Sequence, residues 1–507
     1  MKYLLFVLIG VFIFLNIVFG AWDVLHKDIL FHTDIARDFL LLEDIVKNKP
    51  ITLIGPRSGG ISGLFHGPLW LYLNIPAYLI GKGNPVIVGW FWVLLDCVYL
   101  ATVYTVASKL FDRKAGLMSL LLASVTSAGA ISGLFNPFGA IMFSPVYFYY
   151  LYRYIQHKKV SDLLISLFVL GIVIQFQMAF GIPVLFLTFL YVFYLCIKGK
   201  RLSHLFSFLI LAIPLSTHIV FELRHQFLET KSFIHYLTAG KNQNAVSLFA
   251  SLFERIKGFS IESLNMIAGN QWWLLIPLIM IFIIAFITIF RNKKTKEKLI
   301  YFLFLYFYAG FWILTLLYKG VVWGYYYWPF LPLIIIIFTS FYKRIDKKIY
   351  YLVFVGILLF NFVQNVQGVR SAGNFFGKDG SSWRFNYDMA KTIFNNAPKE
   401  FGYYIFTLDL FGYSPRYGMN YVQTEQPGKK AFPFTKKQVT YLIIAPPPAD
   451  RLSFNGEWWR ENQVKISKQP AYVFRYKNGF KVEKYELTAE ETQIPSDPNL
   501  IQTLFFR

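Results

Sequence analysis

"GPLWLYLNIPAYLIG" occupies residues 67–81, and whether it crosses a bilayer decides how the rest of the chain is arranged. It is apolar, yet it falls short of the ~20 residues a crossing helix needs, carries Pro76 and runs straight into "KGNP". Other apolar runs approach the required length and read as helices near 4–20, 86–108, 115–133, 137–152, 161–178, 181–197, 204–221, 271–290, 299–318, 325–342 and 349–366, about eleven crossings. If 67–81 crossed as well, the clusters "KLFDRK", "RYIQHKK", "KGKR", "RNKKTKEK" and "KRIDKK" would all face outward, against the preference of Lys and Arg for the cytoplasmic side. Laid along the surface, the segment leaves every one of them inside. It is therefore expected to be an interfacial or re-entrant helix.

Composition agrees with this frame. Of 507 residues 56% are hydrophobic, 20% aromatic and only 15% charged, and the mean hydropathy is +0.46, which is the profile of a polytopic helical membrane protein. The net charge of +22 sits in short clusters between apolar runs, with no basic helix or aromatic nucleic-acid motif, so it marks topology and membrane lipids as neighbours rather than nucleic acid. Cys97 and Cys196 both lie in apolar segments, which argues against a disulfide framework or a cysteine metal site. Residues 4–20 lack a small-x-small cleavage site and read as a retained helix.

The expected organisation is a membrane domain over 1–366 and an extracytoplasmic soluble domain over 367–507. The N-terminus is cytoplasmic, and the large outward loops are 21–85 and 222–270. In the tail, "YYIFTLD" and "TYLIIAPP" read as short strands and "YVFRYKNGFKVEKYEL" as a hairpin around Asn478-Gly479, giving a small α/β or β-rich domain.

The first outward loop concentrates charge that the chain otherwise avoids. Ile35, Phe39, Leu42 and Val46 recur at helical spacing, predicting an amphipathic helix on the outer membrane face. Asp34 and Asp38 lie one turn apart with Arg37 between them; spacing alone is equally compatible with a self-paired, solvated helix start. "GPRSGG" then returns Arg57 to the same surface, and "FHGPLW" places His66 just before the short helix. A carboxylate among cationic and donor groups suits transfer from a phosphate-bearing lipid to a polar acceptor. The carboxylate takes the acceptor's proton while cations stabilise the departing phosphate. Nucleotide sugars are made inside, so an outward transferase needs a lipid-linked donor.

The first helix, the outward "D-x-x-R" loop and "HGPLWLY" resemble the C-type glycosyltransferase superfamily, in the branch of protein O-mannosyltransferases and lipid A aminoarabinose transferases. The resemblance implies inverting transfer from a polyprenyl-phosphate sugar to a cell-envelope glycan, lipid or protein at the plasma membrane. It makes Asp34 the catalytic base and Arg37 a phosphate ligand. It also maps the basic residue before a late Tyr- and Pro-opened helix onto Lys319 in "LLYKGVVWGYYYWPFLPLII", with Tyr325 and Tyr326 behind it; Arg57, returned to this surface by its loop, is expected to be a further phosphate contact. His66 and Asp38 would support either partner, as would Glu222 and His225 in "FELRH" at 221–225. In "FNPFGA", Asn136 stands where the family pattern has an acid. A divalent ion could sit between Glu222 and His66, as in some relatives, although a Glu and a His so far apart in sequence specify no metal site.

Two other classes fit a polytopic chain. A lipid-linked oligosaccharide flippase would place ionisable groups near the midplane and show repeated halves with broken helices; here the polar groups are in outward loops, with Gln175 and Gln177 at a span's end. An envelope polysaccharide polymerase or ligase would rely on Arg-rich loops rather than on a carboxylate in the first loop.

Overall fold

The computed structural model describes residues 2–48, 51–58, 60–238, 248–291, 295–318, 320–409, 411–447 and 455–500. Helices dominate the first three quarters of the chain. They are α1 (Lys2–Gly20), α2 (Thr33–Lys47), α3 (Leu69–Ile80), α4 (Pro85–Leu110), α5 (Arg113–Ser127), α6 (Pro137–His157), α7 (Val160–Phe176), α8 (Met178–Lys198), α9 (Ser216–Arg224), α10 (Leu228–Thr238), α11 (Trp272–Arg291), α12 (Thr295–Leu314), α13 (Leu331–Ser340) and α14 (Lys347–Ser371). The C-terminal part adds α15 (Trp383–Asn396), β1 (Glu400–Phe406), α16 (Tyr413–Glu425), β2 (Lys430–Pro433), β3 (Val439–Ile444), β4 (Tyr472–Arg475) and β5 (Lys481–Glu486).

Each expected span has a helical counterpart. Among the described residues six helices are long and apolar enough to cross a membrane, and a seventh candidate is a pair, Leu202–Ala212 and Ser216–Arg224, bent by 72°. The starts are written in the sequence: Asn84 accepts from the Val86 N–H at 3.0 Å with Pro85 in the first turn, Asp112 accepts from Ala115 N–H at 2.8 Å, and Asp346 accepts from Lys348 and Ile349 N–H. Segment 67–81 forms the 12-residue α3 with Pro76 inside it. At ~1.5 Å per residue it is about 18 Å long, well under the ~30 Å hydrocarbon thickness. Its Asn74 accepts from the Trp92 indole at 2.8 Å, which pins α3 against α4.

The C-terminal strands form one sheet in the order β2-β1-β3-β5-β4, parallel across β2-β1-β3 and antiparallel beyond. Helices α15 and α16 cover one face over Phe401, Tyr403, Tyr441 and Ile443; Trp459, Val464 and Ile466 cover the other over Tyr404, Leu442 and Ile444. Burial on both faces is why β1 and β3 read as unbroken apolar runs. The β4–β5 hairpin turns where expected, with Gly479 at φ +86° and Asn478 Oδ1 accepting from Phe480 N–H at 3.1 Å. The short edge strand β2 carries no sequence pattern that announces it.

One expectation about α2 changes. Ile35, Phe39 and Leu42 are buried, but against protein: Phe39 packs on Tyr78 of α3, Trp92 of α4 and Tyr417 of α16. Val46, at the far end, is 40% exposed. The apolar stripe of α2 thus docks the C-terminal module rather than resting on lipid. Polar ties reinforce that seam. The Tyr417 hydroxyl donates to Gly83 O at 2.6 Å, Ser414 to Phe31 O at 2.7 Å and Asn420 to Glu43 at 2.7 Å. Below α2, the fully buried Asp28 accepts hydrogen bonds from Ile29, Gly377 and Arg384 N–H and from the Ser382 hydroxyl at 2.6 Å. Burial pushes this carboxyl's pKa up and the four donors hold it back.

Candidate active site

A cavity of about 420 Å³ opens where α2, the 55–66 loop, the start of α6, the turn before α13 and the 407–413 loop meet. It is lined by Asp34, Arg37, Arg57, His66, Tyr325 and Tyr326, so residues spread over almost three hundred positions in sequence come together. Thr33, Asn136, Phe411 and Tyr413 share the wall.

Arg37 organises the first turn of α2. Its Nη1 donates to Asp34 Oδ1 at 2.6 Å, while Nε and Nη2 donate to Asp38 Oδ1 at 3.1 and 2.9 Å. The two acids differ sharply in setting. Asp34's side chain is 46% exposed and faces the cavity; Asp38's is 6% exposed, lies behind the guanidinium and is absent from the cavity wall. Burial lifts the Asp38 carboxyl to about 6, with Arg37 opposing and the Asp34 charge adding to the rise. Its Oδ2 is buried without a hydrogen-bond partner among the described residues.

Residues 55–58 pair back against residues 64–66: Gly55 N–H donates to His66 O at 2.7 Å, and His66 N–H donates to Pro56 O at 2.9 Å. Arg57 stays exposed and donates to the Ser62 hydroxyl at 2.8 Å. The His66 ring is buried and its Nδ1 has no partner among the described residues. Burial, then repulsion from Arg37 and His218, pushes its pKa down to about 3, so the ring is neutral at physiological pH.

Tyr325 is placed by a polar device in the break between α7 and α8. Gln177, in extended conformation there, donates from Nε2 to Tyr325 O at 3.1 Å, and Asn136 donates to Phe176 O at 2.8 Å beside it. Asn136 reaches the cavity wall, but its amide nitrogen is committed to this scaffold. Lys319 lies outside the described residues.

Glu222 and His225 are placed elsewhere. The Glu222 carboxylate caps α10, accepting from Glu229 N–H at 2.7 Å and from Thr230 N–H and hydroxyl; His225 is exposed, stacks on Phe221 and lies 2.9 Å from its carbonyl. Neither lines the cavity. With Glu222 spent on the cap, the Glu222–His66 pair does not fit a divalent ion, and no group of three or more His, Cys, Asp or Glu among the described residues has metal-site geometry. The acid and histidine that do matter nearby are a few positions away. Buried Glu229 accepts from Phe65 N–H at 3.1 Å through Oε1, and its Oε2 lies 2.9 Å from His218 Nδ1. This pair fastens the loop that carries His66. Its available signal was His218, an ionisable residue in an otherwise apolar run.

The long apolar helices, the short α3 and an acid–arginine cavity walled in part by a small C-terminal sheet module make up an ArnT-like fold. The sequence profile described as dolichyl-phosphate-mannose-protein mannosyltransferase matches residues 66–221. In structure, the chain is similar to ArnT from Cupriavidus metallidurans bound to undecaprenyl phosphate, with a TM-score of 0.61 at 12% identity over 95% of this chain and 98% of that one. The apo form of the same protein gives 0.60 at 12% identity over 96% and 98%. No curated protein matches the sequence.

Proposed function

We propose that this protein is an inverting glycosyltransferase that moves a sugar from a polyprenyl-phosphate carrier to a hydroxyl of a cell-envelope acceptor, on the outer face of the plasma membrane. The observation that carries the proposal is the forked Arg37. It ties a cavity-facing carboxylate, Asp34, to a buried one, Asp38, so that a single acid is presented to substrate. Support for the lipid carrier comes from the similar fold of ArnT, solved with undecaprenyl phosphate. Orientation follows the basic clusters, which place the N-terminus inside and the C-terminal module outside.

In this mechanism the donor's phosphate lies against Arg37 and Arg57, with Lys319 as a further cation. A phosphate beside Arg37 competes with Asp34 for Nη1, and the released Asp34 oxygen turns to the acceptor hydroxyl. Asp34 takes the proton as the hydroxyl oxygen attacks the anomeric carbon from the face opposite the phosphate. The bond to the phosphate oxygen breaks, and its electrons leave as polyprenyl phosphate, whose charge the arginines stabilise. His66, neutral, donates or accepts one hydrogen bond without adding charge. A division into a membrane domain over 1–366 and an acceptor-facing domain over 367–507 belongs to the same proposal.

The test is to incubate the purified protein with a panel of polyprenyl-phosphate sugars and measure released polyprenyl phosphate. Asp34→Asn keeps the side chain's size but cannot take the proton, so turnover is expected to fall by ~10²–10⁴ with donor binding retained. Near-normal release by that variant would refute the assignment.

A further inference from the structure

Two of the basic clusters that mark topology, "RYIQHKK" and "KGKR", lie some forty residues apart in sequence, and the fold brings them together. The link is Tyr154 of α6, whose ring is buried. Its hydroxyl lies 3.1 Å from His204 Nδ1 and 3.9 Å from Cys196 Sγ near the end of α8. Lys158 Nζ sits over the same ring, 5.7 Å from its centroid. Arg201 is fixed from the α8 side: its N–H donates to Cys196 O at 2.9 Å, and its own carbonyl accepts from His204 N–H at 3.0 Å. One tyrosine thus gathers Lys158, Arg201 and His204, with Lys200 exposed beside them.

No acid among the described residues answers these charges. Between Asp112 and Glu222 the only acid is Asp162, which is buried and 3.3 Å from Arg153 Nη2. Elsewhere a lysine in a similar position is paired, as Lys343 is with Asp112. Burial, then the Arg201 charge, pushes the Lys158 pKa down. Lysines at the ends of α6 and α8 also meet the negative ends of the helix dipoles. That accounts for each lysine singly, not for the convergence of three groups on Tyr154, which focuses positive potential at one point.

This point is remote from the cavity. Helix α8, long and apolar enough to cross a membrane, starts beside Gln177, which holds Tyr325 at the cavity, and ends at Lys198. Its 21 residues span about 30 Å. An exposed apolar strip leads along it to the cations: Phe193 and Ile197 on α8, then Leu202 and Phe206 on the segment packed beside it through Phe189 and Phe208, 5.5 Å between centroids. A free phosphate has no use for such a strip. A phospholipid lays its acyl chains along it while its phosphate reaches the cations, and a headgroup without a cation of its own suits the cluster best.

We propose that Lys158, Arg201 and His204 hold the phosphate of an anionic phospholipid from the leaflet opposite the cavity, with its acyl chains along Phe193, Ile197, Leu202 and Phe206. The site stands apart from the transferase reading and is tested by binding alone. The purified full-length protein is titrated with phosphatidylglycerol, phosphatidylcholine and a polyprenyl phosphate in turn, with inorganic phosphate as competitor. Native mass spectrometry counts the lipids retained.

Phosphatidylglycerol should be retained in preference to phosphatidylcholine. Lys158→Gln and Arg201→Gln should each weaken its Kd by about 5-fold, the weight of one basic residue near an anionic lipid surface. Lys158→Arg, which keeps the charge, should bind as wild type does, and Lys343→Gln, at a lysine already paired with Asp112, should change nothing. Unfolding midpoints equal to wild type in phosphatidylcholine alone would show that the losses are local. Equal retention of the two phospholipids would overturn the proposal, as would phosphatidylglycerol affinity unchanged in both glutamine variants. So would displacement of the lipid by inorganic phosphate, which would make this a free-anion site. Stronger Lys158-dependent retention of the polyprenyl phosphate would also overturn it, by giving the cluster to the carrier lipid.

Discussion

Replacing Asp38 by Asn separates the acid that orients from the acid that reacts. Asp38 Oδ1 takes two hydrogen bonds from Arg37, at 3.1 and 2.9 Å, in a setting 6% exposed. Asparagine keeps an oxygen acceptor in nearly the same place but takes away the negative charge, so each bond is assisted by the guanidinium alone. Bonds to charged groups contribute about 1.5–3 kcal/mol, and losing the charge on the acceptor side loosens Arg37 by about 1 kcal/mol per bond. Two bonds amount to about 2 kcal/mol, or roughly 30-fold in transfer, well short of the general-base loss expected for Asp34→Asn. Acid should mimic the substitution. The folded-state pKa of Asp38, about 6, lies above the ordinary 3.8, so folding favours the protonated form. Its contribution to stability is full in acid and is lost as pH rises through about 6. Acidification through 6 therefore loosens Arg37 without unfolding the protein through this group. The assay is the pH profile of polyprenyl phosphate release, alongside unfolding midpoints. Wild type should show an acid limb near 6 that disappears in Asp38→Asn. A limb that persists unchanged in the variant would refute the reasoning, and Asp38→Asn inactivity with an active Asp34→Asn would exchange the two roles.

Glu229→Ala leaves the buried Phe65 N–H without its acceptor, so the unfolding free energy should drop by about 1–3 kcal/mol and donor affinity should fall with the loosened loop; unchanged values of both would show that the clamp is idle. Glu222→Ala removes a helix cap outside the cavity and should lower stability by about 1 kcal/mol while transfer continues; a transfer loss larger than the stability loss would return Glu222 to the site. A cysteine at exposed position 477, with Cys97 and Cys196 replaced, should react with an impermeant maleimide in intact cells. Labelling only after permeabilisation would invert the proposed orientation.

Much of the fold was legible because apolar length and charge placement are local properties of the chain. Pro76 and the brevity of 67–81 predicted the short α3, unbroken apolar runs predicted β1 and β3, and the Asn478-Gly479 turn predicted the β4–β5 hairpin. Asp34, Arg37, Arg57, His66, Tyr325 and Tyr326 stood out because charge and polarity are rare here, and the structure gathers all six around one cavity. Helical spacing could not rank Asp34 against Asp38, since one turn separates two acids of equal chemistry; what distinguishes them is burial under other segments. The stripe Ile35-Phe39-Leu42 showed that α2 has an apolar side but not that Tyr417, nearly four hundred residues later, would cover it. Glu222 and His225 were singled out from the sequence, and Glu229 and His218 passed over, for the same reason. The bend after Leu202–Ala212 and the cap at α10 turn one pair inward and the other away, and neither feature has a short sequence signature.

The Asp28 knot bears on how the protein is made. Its partners Gly377, Ser382 and Arg384 lie 349, 354 and 356 residues downstream. At roughly 5–20 residues per second, a ribosome needs on the order of 20–70 s to reach them after Asp28 has emerged. Through that interval every helix from α2 to α14 is synthesised while the acid has none of its distant donors. The stretch that leads into α2 thus reaches its final arrangement among the last events of biogenesis. A prematurely terminated chain, even one with every helix to α14 made, would leave Asp28 without its downstream donors and the apolar stripe of α2 without Tyr417 over it.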